Sequence, residues 1–201
     1  MMYCYQVSSR RNFIRKAIGF TAMSVGASLL ADAHPIDAFI PAPIPKQKVL
    51  LTINGKQMEL MVDIRSTMLD LLREQLSMTG TKKGCAMGDC GACMIHVNGN
   101  RTNACLTLAV YNEGNKITTI EGLSKGDQLH PMQAAFLKHD SFQCGYCTSG
   151  QIMSAVACLK EGKANNRDQI KDYMKKNICR CGSYQNIVDA IEEVKKSGAA
   201  I

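Results

Sequence analysis

The sequence predicts an α+β chain built from two small units, a mixed β-sheet with one packed helix and then an all-α bundle of four helices. Three observations carry this. Two Asn-Gly pairs, Asn54-Gly55 and Asn98-Gly99, each sit between short runs of strand-forming residues. From His130 onward the apolar spacing becomes helical. Eight of the ten cysteines fall into two groups of four, one on each side of that change.

Residues 49–62 read as a β-hairpin, because both central residues of a type I′ turn need positive φ and Asn-Gly supplies them. Residues 67–76 follow as a helix with apolar positions at 68, 69, 71, 72 and 76. Thr67 can cap it, with Asp70 three residues on. Residues 94–97, the second Asn-Gly turn and residues 116–120 supply three further short strands. In the second unit, residues 132–139 form a short helix after Pro131, which suits a first turn. Thr148 and Gln151 make a capping box for a helix over 150–161, ended by Gly162. Asn166 caps 167–177, and 185–197 carries Ile187, Val188, Ile191 and Val194 on one face. Short connections between four helices imply a bundle.

Before these units lie two segments of different character. Residues 1–33 contain Arg10-Arg11, an apolar stretch over 17–30 and a small-x-small Ala31-Asp32-Ala33 site. The stretch is shorter than the roughly 20 residues of a membrane span and is diluted by Gly, Ser and Thr. It resembles a twin-arginine (Tat) export signal, an address and not a stable membrane anchor. Its logic suits a cargo that must fold around a metal group in the cytoplasm before it crosses, and it predicts a periplasmic protein. Residues 34–47 hold four of the five prolines and read as an extended linker. The sheet unit then covers 48–124 and the helical unit 125–201.

The formal charge is +7, of which +3 belongs to the leader. No Lys/Arg run with interleaved aromatics forms a nucleic-acid face, so no nucleic-acid partner is expected. With no Trp and 5% aromatics, the cores must be built from Leu, Ile, Val, Met and Ala.

The first cysteine group is Cys85, Cys90 and Cys93 in a C-x4-C-x2-C run, with Cys105 beyond. This is the plant-type [2Fe–2S] spacing. Four thiolates and two sulfides make such a site strongly anionic, so backbone N–H groups must turn inward. Gly84, Gly88 and Gly91 allow a loop tight enough for that. The second group pairs Cys144-x2-Cys147 with Cys179-x-Cys181. Cysteines one residue apart crowd a single tetrahedral zinc, and the absence of His from the group excludes a Rieske-type centre. An exported cysteine-rich chain could instead be a disulfide framework, which these close spacings disfavour. Cys4 lies in the leader. Cys158, in an apolar helical stretch, reads as a core residue.

The segments Phe142-Gln-Cys-Gly-Tyr-Cys-Thr-Ser-Gly-Gln151 and Asn177-Ile-Cys-Arg-Cys-Gly-Ser-Tyr184 resemble the iron–sulfur subunit of the xanthine oxidase (molybdenum hydroxylase) family. So does Thr79-Gly-Thr-Lys-Lys-Gly-Cys85 with Gly-Asp-Cys-Gly-Ala-Cys93, and the likeness spans about 48–197. With the Tat-like leader, the nearest resemblance is to a periplasmic aldehyde oxidoreductase.

The resemblance implies a β-grasp 2Fe-2S ferredoxin domain followed by an all-α four-helix [2Fe-2S]-binding domain. It implies that Cys144, Cys147, Cys179 and Cys181 hold the cluster nearer molybdenum, and Cys85, Cys90, Cys93 and Cys105 the distal one. It places a molybdopterin, in the cytosine dinucleotide form, on a large partner subunit, contacted from here by Gln143 and by the Cys181 sulfur. Electrons would leave toward FAD or a cytochrome on a further subunit. This chain would carry no catalytic residue, and the substrate is expected to be an aldehyde. The competing expectations are a free-standing ferredoxin-like carrier, the iron–sulfur subunit of an N-heteroaromatic hydroxylase or carbon monoxide dehydrogenase, and a non-redox metal or disulfide protein.

Overall fold

The computed structural model describes residues 43–199. The predicted export signal and most of the proline-rich segment lie outside the described residues. From Ile44 onward the chain forms one compact unit. Among the described residues no helix is long and apolar enough to cross a membrane.

Strands β1 (Lys46–Ile53) and β2 (Lys56–Asp63) pair antiparallel from Lys46↔Asp63 to Ile53↔Lys56. The two-residue turn between them has Asn54 at φ 48° and Gly55 at φ 80°, the doubly positive pair that Asn-Gly predicts. β3 (Met94–Val97) and β4 (Asn100–Asn103) form the second hairpin around Asn98-Gly99. β5 (Lys116–Thr118) runs parallel to β1 and antiparallel to β3, so the sheet is mixed, in the order β2-β1-β5-β3-β4. β5 stops at Thr118, short of the expected Ile120. The Thr119 amide is taken by the Asn54 side chain at 2.9 Å, and a 3-10 turn follows over Ile120–Gly122.

The helix expected over 67–76 is shorter and wider than predicted. Only α1 (Met68–Asp70) is α-helical, capped by the Thr67 hydroxyl on the Asp70 amide as expected. Leu71–Gln75 then open into a π turn, with the Leu76 N–H donating to the Leu71 carbonyl at 3.1 Å. Met68, Leu69, Leu71 and Leu72 are all buried. They close a core with Val49, Leu51, Ile53, Val62, Ile95 and Ile117.

The second core lies among α2 (Pro131–Lys138), α3 (Thr148–Lys160), α4 (Arg167–Met174) and α5 (Tyr184–Ser197). His130 caps α2 through Nδ1, with Gln133 returning a bond to the His130 N–H. The predicted Thr148/Gln151 capping box does not form. Helix α3 starts at Thr148 after Cys147, with no side-chain cap, because Gln151 points to the Asn177 carbonyl instead. Helix α4, capped by Asn166 as predicted, ends at Met174 and not at 177. Residues 175–178 turn away so that Asn177 and Ile178 can meet the first cysteine loop. Helix α5 buries Ile187, Val188, Ile191 and Val194, and ends at left-handed Gly198.

Helix α3 joins the two units. Residues 150–158 are all buried, since one side meets the helical core and another meets β3 and β4. Buried His96 on β3 lies with Nε2 2.8 Å from the Met153 carbonyl, which fixes the Nε2–H tautomer. Burial holds its pKa below the ordinary value of 6.5; Lys160 adds to this, while the Met153 bond and Glu161 oppose it. The unfolded chain therefore binds a proton that the folded chain resists. Stability should fall as pH drops below about 6.5 and be insensitive to this group above it. In His96→Gln, which keeps a donor without a titrating ring, denaturant unfolding between pH 7.5 and 5.5 should lose that part of the slope. An unchanged pH slope would contradict the assignment.

Candidate metal centres

The first cysteine loop is shaped by backbone that only small residues follow. Ala86, Gly88 and Gly91 all have positive φ. A Cβ at Gly84 would lie 2.6 Å from Cys90 Sγ, so only glycine lets the chain pass this close. The resulting curl aims three amides at one sulfur. Met87, Asp89 and Cys90 N–H donate to Cys85 Sγ at 3.4, 3.3 and 3.4 Å, and the Cys85 N–H donates to Cys90 Sγ at 3.3 Å. These donors, the Met87 amide first, bring the Cys85 thiol down to about 7. Burial pushes Cys93 up to about 12. Cys93 and Cys105 flank the β3–β4 hairpin, whose closing Ala104 N–H···O=C Cys93 bond is 3.2 Å, and their side chains meet. That hairpin accounts for the long interval before the fourth cysteine.

The second set gathers where the helices begin. Cys144 and Cys147 sit just before α3, with Cys147 at its N-cap. Cys179 and Cys181 lie in the connection from α4 to α5. The Cys144 side chain meets that of Cys181, and Cys147 meets Cys179. The Tyr146 amide lowers the pKa of Cys144. Burial, with Cys179 beside it, pushes Cys147 up to about 12. For Cys179, burial is outweighed by bonds from Ser183, Cys147 and Gly182, and its pKa is lowered.

Both sets therefore consist of two thiol pairs, Cys85/Cys90 with Cys93/Cys105 and Cys144/Cys181 with Cys147/Cys179. All nine described cysteines are free thiols. Among the described residues no three His, Cys, Asp or Glu side chains close around one metal ion. Pairs fit a group with two metal atoms, each taking two thiolates, and the inward amides suit its negative charge. This donor set matches a [2Fe–2S] cluster in each place.

The two loops are joined by polar contacts that the sequence did not reveal. The Ile178 N–H donates to the Cys90 carbonyl at 3.0 Å, so one hydrogen bond separates a backbone path from Cys90 to Cys179. Asn177 Nδ2 donates to the Gly91 and Gly150 carbonyls, both at 3.2 Å, and Gln151 Nε2 donates to the Asn177 carbonyl at 3.0 Å. Tyr146 Oη donates to the Lys83 carbonyl at 2.7 Å. Gln143, Cys144 and Cys181 are all exposed, as are Phe142, Ile178 and Tyr184 around them. Buried Cys158 lies in the helical core, as expected. Lys83 pairs with Asp70 at 2.9 Å.

Comparison with known proteins accounts for the pattern. Residues 51–115 match the 2Fe-2S iron–sulfur cluster binding domain family, and residues 119–192 match a separate [2Fe-2S] binding domain family. The aldehyde oxidoreductase iron–sulfur-binding subunit of Escherichia coli is 50% identical over 197 residues, 89% of this chain and 86% of that one. The chain belongs to the iron–sulfur subunits of the molybdenum hydroxylase family. Members of this family include the nicotine 6-hydroxylase small subunit of Paenarthrobacter nicotinovorans, 40% identical over 75% of this chain and 91% of that one. The fold agrees. A chain of quinoline 2-oxidoreductase from Pseudomonas putida superposes with TM-score 0.72 at 41% identity, covering 77% of this chain and 99% of that one. The aldehyde oxidoreductase of Desulfovibrio gigas superposes with TM-score 0.71 at 36% identity over 76% of this chain, but only 18% of its own. A ferredoxin-type sheet domain followed by a helical [2Fe–2S] domain is thus the family architecture, and the chain is a subunit of an oxidoreductase.

Proposed function

We propose that this chain relays electrons from a molybdopterin centre on a large partner subunit, through two [2Fe–2S] clusters, to FAD or a cytochrome on a further subunit. The observation that carries this reading is the direct junction of the two cysteine sets through the Cys90–Ile178 bond. Cys85, Cys90, Cys93 and Cys105 would hold one cluster, and Cys144, Cys147, Cys179 and Cys181 the other. When bound, each cluster supplies a reversible one-electron step. The chain's own part is to fix the thiolates, direct amides at their sulfurs and exclude water behind them.

The exposed face around Cys144 and Cys181 is where we place the large subunit. Gln143 there is exposed and would hydrogen-bond a pterin, and the exposed Cys181 Sγ would accept a further bond from it. The cytosine dinucleotide form of that cofactor is part of the same proposal. Identity of 50% to an aldehyde oxidoreductase subunit supports an aldehyde as substrate, and the twin-arginine leader supports export to the periplasm.

Purification of the native protein from the periplasmic fraction tests all of this. It should yield a brown complex containing a larger molybdenum chain and a flavin or haem chain, active on aldehydes. A lone brown chain would indicate a free carrier. Recovery only from the cytoplasm would refute the export reading.

A further inference from the structure

We propose that Tyr146 is a positioning residue that, through its hydroxyl, fixes the spacing between the two cysteine sets; the inference rests on the relay function above. Tyr146 lies between Cys144 and Cys147, and its hydroxyl donates at 2.7 Å to the carbonyl of Lys83, two residues before Cys85. A single hydrogen bond thus carries the chain from the second cysteine loop into the first. The Ile178 N–H···O=C Cys90 bond does the same from the other side.

The pairing of the thiols gives these two bonds their meaning. Cys85 and Cys90 form one pair of the first set, and Cys147 and Cys179 form one pair of the second. One strut runs from the residue before Cys147 to Lys83, two residues before Cys85, and the other from the residue before Cys179 to Cys90 itself. Ile178, Asn177 and Gly150 all brace the Cys90–Ala92 side of the first loop, whereas the Tyr146 hydroxyl holds its Cys85 side. With one side alone held, the Cys85 end is free to rock; with both held, separation and mutual orientation are set together.

The backbone strut is untouched by a change at Tyr146, whereas the phenol strut depends on one oxygen. Tyr146 is half exposed, so its hydroxyl is not needed to complete either core, and the ring can stay in place without it. The Lys83 carbonyl would then turn to water at little cost in stability. What would be lost is the restraint on rocking, to which electron exchange and magnetic coupling between adjacent redox groups respond steeply.

The test is Tyr146→Phe in the purified native complex, reduced with dithionite. Iron should stay at about four per chain. The low-temperature electron paramagnetic resonance signals of the wild type should show mutual splitting, and the variant should lose its resolved form to a broadened envelope. Amide exchange over 83–90 should quicken roughly fivefold, the worth of one neutral hydrogen bond. Full iron with identical splitting would overturn this inference alone. Absence of iron from both proteins would overturn the relay reading, and this inference with it.

Discussion

Replacing Gly150 by alanine is expected to destabilise the protein by about 3 kcal/mol and to strip iron from the first cysteine loop. Gly150 sits in the first turn of α3, where alanine would ordinarily favour the helix by about 1 kcal/mol. Its backbone is not in the left-handed region, so the effect is purely one of space. A Cβ there would stand 2.2 Å from the Gly91 carbonyl oxygen and 2.9 Å from Ala92 Cα. Both neighbours are backbone, held by β3 and by the Asn177 carboxamide, and neither can swing aside as a side chain would. The loop must back away, taking Cys90 and Cys93 with it and breaking the bonds from Ile178 and Asn177. Overpacking therefore outweighs propensity. Denaturant unfolding with iron analysis of Gly150→Ala checks this, and wild-type values in both would show that α3 does not press on the loop.

Cys147→Ser is expected to halve the iron, from about four to about two per chain, and to abolish turnover of the complex while the first cluster persists. The serine oxygen is a poor ligand to iron and is shorter than the thiolate, and buried Cys179 loses its pair partner. The first set is framed by the sheet, with Cys93 and Cys105 in its core, and draws its amide donors from its own loop. Its signal in the reduced protein should therefore survive, though shifted by the loss of a charged neighbour. Cys90→Ser should do the converse. If either substitution removed both signals, the two sets would not be separate centres.

Much of this was legible in the chain. The Asn54-Gly55 and Asn98-Gly99 turns, the Thr67 and Asn166 caps and the Gly162 stop were readable because each acts within four residues. The gathering of eight cysteines into two sets was readable because metal chemistry constrains spacing more tightly than packing does. The π turn at Leu71–Gln75 was not, since apolar residues at 68, 69, 71 and 72 read equally as an α-helical stripe. The junction was not either. Asn177 and Gln151 sit in segments whose local reading is a helix end and a capping box, and Tyr146 lies between two cysteines with no local partner to point to. Their partners lie 86, 26 and 63 residues away. One signal was available: Gly150 breaks the helical propensity of an otherwise good first turn, and a glycine there points to something close against the backbone.

Quantifying iron, sulfide and zinc in the protein purified with its native partners tests the central claim most directly. About four iron and four sulfide per chain, with two distinguishable signals on reduction, is the predicted result. A preparation with zinc in place of iron, or with no metal and its thiols joined as disulfides, would contradict it.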